Sequence, residues 1–239
     1  IIMTEIIDFF LEPYKSAPVI NIVLEFIAAF LGVLSVFFAK RENILVYPTG
    51  IISTTIYIYL LSQWNLFGDL IINIYYTIMS VFGWYMWSKL VDANKKEHIP
   101  IAYTTKKQKW IAFGIFIAAS VFVIFIYRYY NIMPNHLNLQ ESIDFAISNL
   151  TSGNLEKFRE AVPFLDTFTT ASAFVAMWLM AIKKIENWTF WIVTNIVSIP
   201  LYFVKGYGFT GIQYTVFLIL AYLGYKQWKK SLNNKPQTA

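Results

Sequence analysis

Trp188, Trp191, Asn195, Ser198 and Tyr202 follow one another at steps of three, four, three and four residues. On a helix that spacing lines all five along one face. Rings on such a face stack on a flat solute, and the amide and hydroxyls fix its hydroxyl or carboxamide groups. The pattern recurs. Asn43, Tyr47, Gly50, Thr54 and Tyr57 share a helical face, as do Asp69, Asn73, Tyr76 and Ser80. Positions matching that last set are Thr210, Tyr214, Phe217 and Ala221, with Gln213 adjacent. The bland alternative is interfacial aromatic belts plus hydrogen bonds between packed membrane helices. Trp84, Trp87 and Trp228, at the ends of apolar runs, fit that alternative better. Asn195 and Tyr202 lie deeper, and a buried amide needs a partner that a ligand can supply.

Three acids, Glu25, Asp69 and Asp166, stand in or at the edge of long apolar runs. Intramembrane carboxylates are costly and are commonly functional, although Asp69 and Asp166 are close enough to run ends to be interfacial. No Lys or Arg is deep in any run. A site for a phosphorylated solute would want one. The chain has no Cys, which excludes disulfides and thiol chemistry. His98 and His136 lack partners at metal or catalytic spacing. Gly206-Tyr207-Gly208-Phe209-Thr210-Gly211 matches a dinucleotide fingerprint in letters only, because it joins two apolar runs rather than a strand and a helix. No phosphate-binding loop is present, no cofactor is called for, and nothing points to nucleic acid.

The elements that position these residues are membrane spans. The 239 residues are 57% hydrophobic and 14% charged, against about 25% charged for a soluble domain. Uncharged or nearly uncharged runs fall at 18–39, 43–62, 69–88, 110–127, 167–182, 187–204 and 206–225. Most approach the ~20 residues that cross the hydrocarbon as a helix. The expected fold is all-α and integral to the membrane, with seven spans. Residues 1–17 form an N-terminal interfacial segment, with a short helix expected over 1–12. The first three-helix repeat covers 18–89, and a basic cytoplasmic loop covers 90–109. A linker helix (110–128) and an outer loop (129–163) follow. The second three-helix repeat covers 164–228, and a tail covers 229–239.

Alternating the loops between two sides puts 14 of the 19 basic residues on one side, among them Lys40, Arg41, Lys106, Lys183 and Lys230. Five, Lys15, Arg128, Lys157, Arg159 and Lys205, fall on the other. The positive-inside tendency then places the C-terminus in the cytoplasm and the N-terminus outside. The segments Glu42–Trp87 and Glu186–Trp228 read as copies: both open on Glu-Asn and close on Gly-x-x-x-Trp. One intervening span makes the two triplets parallel, an arrangement known among secondary transporters. In that pairing Trp191–Asn195 corresponds to Tyr47–Ile51, and Glu25 meets Asp166 only across a gap of about three residues.

The doubled Glu-Asn start, Trp191-x-x-x-Asn195, Phe82-Gly83-Trp84-Tyr85-x-Trp87 and Gly224-Tyr225-x-x-Trp228, over about 18–230, resemble the PnuC family of nicotinamide riboside transporters. The resemblance implies a bacterial inner-membrane protein with a SWEET-like fold, present as homotrimers. It implies facilitated diffusion of nicotinamide riboside, trapped inside by phosphorylation and feeding pyridine nucleotide biosynthesis. Thiamine and riboflavin remain alternative solutes. An intramembrane enzyme is the weakest reading, since it would want clustered Asp, Glu or His.

Overall fold

The computed structural model describes residues 10, 11, 15, 17–64, 67–92 and 97–234. The helix expected over 1–12 lies outside them apart from Phe10 and Leu11, as does the end of the tail. Eight helices are described: α1 (Val19–Lys40), α2 (Val46–Gln63), α3 (Phe67–Ser88), α4 (Lys106–Tyr129), α5 (Leu139–Thr151), α6 (Leu155–Ala181), α7 (Glu186–Val204) and α8 (Gly208–Asn233). Five of them, α1, α4, α6, α7 and α8, are long and apolar enough to cross a membrane. Helices α2 and α3 are of comparable length, 18 and 22 residues.

The 90–109 loop holds a short antiparallel pair, β1 (Leu90–Asp92) with β2 (Glu97–His98). Past it, Ala102 exchanges backbone hydrogen bonds with Lys183 and Ile185, and the Glu186 carboxylate accepts from the Thr104 N–H and hydroxyl at 2.9 and 2.8 Å. Thr105 then caps α4 in a box with Gln108. The segment expected as outer loop contains α5. Asn138 and Glu141 form the capping box that starts it, satisfying amides that a helix end otherwise leaves bare. Arg128 donates to the Leu137 carbonyl at 2.8 Å and holds the intervening turn.

Helices α1, α2 and α3 pack in series, as do α6, α7 and α8; the two groups meet where α1 touches α8 and α3 touches α6, and α4 lies on α6. Hydroxyls join neighbouring helices: Ser53 donates to the Ala28 carbonyl and Ser35 to that of Val46, both at 2.7 Å. Such bonds cost nothing in exposed backbone and suit helices that lipid cannot drive together.

Local geometry repeats at a constant offset of 141 residues (183 − 42, 188 − 47, 224 − 83, 228 − 87). Glu42 and Lys183 both take positive φ, 57° and 52°. Both donate to the last turn of the preceding helix, at Ala39 and Met180. Tyr47 and Trp188 each lie against a glycine, Gly83 and Gly224. The indole N–H of Trp87 donates to the Met180 carbonyl at 3.2 Å, and that of Trp228 to Ala39 at 3.0 Å.

This register corrects the Glu-Asn pairing. Glu42 sits in the α1–α2 turn, whereas Glu186 opens α7, so Glu186 answers to Leu45. Trp191–Asn195 therefore answers to Gly50–Thr54 rather than to Tyr47–Ile51. Glu25 and Asp166 fall on the same offset with no gap.

Close approach explains the closing Gly-x-x-x-Trp. A Cβ at Gly224 would stand 2.6–2.8 Å from three atoms of the Trp188 ring. Trp188 is 1% exposed and cannot step aside. Gly224→Ala is expected to lower stability by about 1–3 kcal/mol, the usual effect of overpacking. Gly114 on α4 has no neighbour within 4 Å, so Gly114→Ala should leave stability unchanged or raised. Thermal melts of both variants in detergent check this; a Gly224→Ala melt equal to that of the unmodified protein would count against the packing account. The G-x-G-x-x-G letters have a similar origin: Gly206 turns at φ 87°, and the Phe203 ring lies over Gly211.

Candidate solute cavity

A cavity of about 510 Å³ runs between the two helix groups, within the ~300–1,000 Å³ usual for small-molecule sites. Along α6 it touches Asp166, Thr169, Thr170, Ala173, Met177 and Met180. Those positions follow one helical face and span about 20 Å at 1.5 Å per residue. The basic end, near Ala39, Val46, Met180 and Trp188, is walled by a cluster of rings. Tyr47 packs edge-on to Trp87 at 5.1 Å, Trp228 edge-on to Trp188 at 5.5 Å, and the Lys183 ammonium lies 4.4 Å over the Trp87 ring.

Most residues of the expected stripes reach the wall. From α7 come Trp188, Trp191, Asn195, Ser198 and Tyr202; from α8, Gln213 and Tyr214. Helix α2 brings Thr54; α3 brings Asp69, Asn73 and Tyr76; α1 brings Glu25. Their states differ. Asn195 is 2% exposed, and its amide has no hydrogen-bond partner among the described residues. Ser198 is likewise buried and unbonded. Both line the cavity beside Thr194, whose hydroxyl is buried without a partner. Trp191 meets Tyr76 edge-on at 6.2 Å, and both line the cavity.

Others are already engaged. The Thr54 hydroxyl bonds Thr77 at 2.7 Å, Asn73 donates to the Asp69 carbonyl at 2.9 Å, and Gln213 reaches the Ala29 carbonyl at 3.5 Å. Trp188 is chiefly core, packed on Gly224 and Trp228. Tyr47 is the one expected site residue absent from the cavity wall; 1% exposed, it is locked between Gly83 and Trp87. It starts α2 only one residue after Val46, so its face is turned to the ring cluster.

The end opposite the basic one carries the charges. Asp166 takes the Lys205 ammonium on both oxygens, at 2.8 and 2.6 Å, and Tyr127 shares this end of the wall. Tyr202 and Tyr214 stack there at 4.7 Å, with Phe10 and Phe209 edge-on beyond them at 5.1 Å. Tyr127, Thr169, Thr170 and Thr194 were not among the expected site residues. The two threonines of α6 lie one turn and less past Asp166, and their small polar stripe was the available signal. No group of three or more His, Asp or Glu suited to a metal ion occurs among the described residues.

The family model described as nicotinamide mononucleotide transporter matches residues 22–230. The chain belongs to that family. The nicotinamide riboside transporter PnuC of Escherichia coli is 24% identical over 217 residues, covering 90% of this chain and 89% of its own. PnuC of Neisseria mucosa is 28% identical over 214 residues, covering 85% and 71%. The riboflavin/roseoflavin transporter RibM of Streptomyces davaonensis is 23% identical over 153 residues, covering 63% and 58%. The crystal structure of the vitamin B3 transporter PnuC superposes with a TM-score of 0.61 at 24% identity, over 89% of this chain and 83% of that one. That likeness establishes the fold of this family member.

Proposed function

We propose that this protein carries nicotinamide riboside into the bacterial cell by facilitated diffusion with alternating access, and that phosphorylation by a cytoplasmic kinase traps the solute for pyridine nucleotide synthesis. The observation that carries this reading is the unbonded Asn195 amide beside the Trp191 ring, in the cavity of a chain whose PnuC relatives are nicotinamide riboside transporters. An indole face suits a pyridinium ring, and an amide with two donors and an acceptor suits carboxamide or ribose hydroxyls. The family description names the mononucleotide, but the cavity argues for the riboside. No Lys or Arg is on its described wall, and the nearest ammonium, Lys205, is already held by Asp166. A phosphate there would face no free cation.

The membrane arrangement belongs to the same proposal. The seven long helices are seven spans, in two parallel triplets (α1–α3 and α6–α8) around the linker α4, with the N-terminus outside and the C-terminus in the cytoplasm. The constant offset and the 14-to-5 split of basic residues support it. The cavity would then be shut at the cytoplasmic end by the ring cluster. Rocking of one triplet against the other would open it. A homotrimer is part of the reading; α4 presents Trp110, Phe113, Val121, Phe125 and Tyr129 outward, to lipid or to a second copy.

Uptake of labelled nicotinamide riboside into proteoliposomes tests the function. Saturable uptake that persists when ion gradients are collapsed is the expected result, and uptake no faster than in empty vesicles would sink the reading. RibM among the relatives makes riboflavin the second candidate solute, with thiamine the third. Either competing more strongly than unlabelled nicotinamide riboside would transfer the assignment to it.

A further inference from the structure

The cavity wall carries carboxylates and no free cation. Three carboxylates are on it, Glu25, Asp69 and Asp166. Asp166 is neutralised by Lys205, and Glu25 has a partner of its own. Asp69 differs: its carboxylate has neither a hydrogen bond nor an ion pair among the described residues. Its surroundings are chiefly rings, and the Lys205 ammonium within electrostatic reach of it is the one Asp166 already holds, so the three groups together keep one net negative charge. Tyr76, Tyr202 and Tyr214 all lie within electrostatic reach of it. At the offset of 141 its counterpart is Thr210, so the charge stands on one side of the cavity alone.

We infer that Asp69 is a specificity-determining residue, the counter-charge by which the cavity prefers a solute with a positively charged ring over a neutral one of the same shape. The inference rests on the transport reading above and adds its charge requirement. One net negative charge left by two carboxylates and one ammonium in an enclosed, weakly screened space attracts a cation far more strongly than the same charge in bulk water, and the electron-rich ring faces act with the same sign. Together they describe a cradle for a delocalised ring cation bearing no phosphate. The competing account is helical: Asp69 falls in the first turn of α3, where a carboxylate stabilises the helix dipole. That account gives Asp69 an effect on stability and none on discrimination.

The reduced analogue of nicotinamide riboside separates the two. Adding hydride to the pyridinium ring removes its charge and leaves the ribose and carboxamide in place. Calorimetry on the full-length protein compares the two solutes. The unmodified chain is expected to bind the cationic form at least tenfold more tightly than the reduced form. In Asp69→Asn the affinity for the cation should fall about tenfold, with the reduced form unchanged within twofold; that unchanged binding also shows the variant is folded. Asp69→Glu should keep most of the preference. An equal loss for both solutes in Asp69→Asn, or an unmodified protein that binds both equally, overturns the inference while leaving transport intact. An unmodified protein that binds neither overturns the transport reading itself.

Discussion

Replacing Trp191 with alanine is expected to weaken binding of nicotinamide riboside by about 10- to 100-fold. Stacking of a heteroaromatic ring on an aromatic side chain is worth ~1–3 kcal/mol by alanine substitution, and each ~1.4 kcal/mol is tenfold in Kd. Trp191 is suited to this because its ring lines the cavity, held by the ring cluster on one side and edge-on to Tyr76. The residue at the matching position of the first half is Gly50, packed against Ser35 and Ser80. One half thus offers a large ring where the other offers none, and a flat solute fits the difference. Trp191→Phe should retain most of the affinity. Trp188→Ala, by contrast, should chiefly lower the melting temperature, because Trp188 fills the ring cluster against Gly224 and Trp228. Calorimetry and thermal melts on the same preparations separate the two tryptophans. A Trp191→Ala protein with unaltered Kd would remove this residue from the site.

The contrast between Trp188 and Trp191 also marks what sequence could reveal. Both sit on the face defined by steps of three and four residues, and that face does line the cavity. Periodicity finds a face, but depth along the helix decides whether a side chain meets solute or core. Trp188 lies near the start of α7, where the opposing glycine admits its ring; Trp191, one turn on, has no glycine against it. Tyr47 fell to the same limit. Its stripe began at Asn43, but α2 begins at Val46, so the first members of the stripe belong to a turn and a helix end.

The apolar runs found five of the seven long helices to within about four residues, but α6 starts 12 residues before its run and α8 ends eight past its own, because both helices continue through charged residues beyond the apolar stretch. Helix α5 was missed altogether. It is amphipathic and polar, and its clearest signal is the capping box of Asn138 and Glu141. The repeat register was also misjudged by three residues. Identical letters at Glu42 and Glu186 outweighed the constant offset shared by Glu25 with Asp166 and Trp87 with Trp228. The offset of 141 holds on both sides of the α1–α2 and α6–α7 turns, so the identical Glu-Asn letters stand at inequivalent positions.

The double replacement Trp87→Phe with Trp228→Phe is expected to open the basic end of the cavity. Each indole N–H donates across the seam between the helix groups, from α3 to the end of α6 and from α8 to the end of α1. The acceptors are carbonyls of helix C-termini, which also take the Glu42 and Lys183 amides. Each such bond contributes ~0.5–1.5 kcal/mol net. At the same end, the Tyr47 hydroxyl and the Trp188 indole N–H are buried without partners, and each costs the closed form ~1–3 kcal/mol. The two bare donors thus offset the whole gain from the two bonds. Phenylalanine keeps the ring packing and deletes only the donors. Losing ~2 kcal/mol of closure should then raise the open fraction about 30-fold, at ~1.4 kcal/mol per tenfold. The chain has no native cysteine, so a single cysteine at Met177, on the cavity wall, reports access without interference. Its labelling by an impermeant thiol reagent applied to the basic side should quicken by at least tenfold in the double variant. Equal labelling rates in both backgrounds would show that the ring cluster, and not the two indole bonds, keeps that end shut.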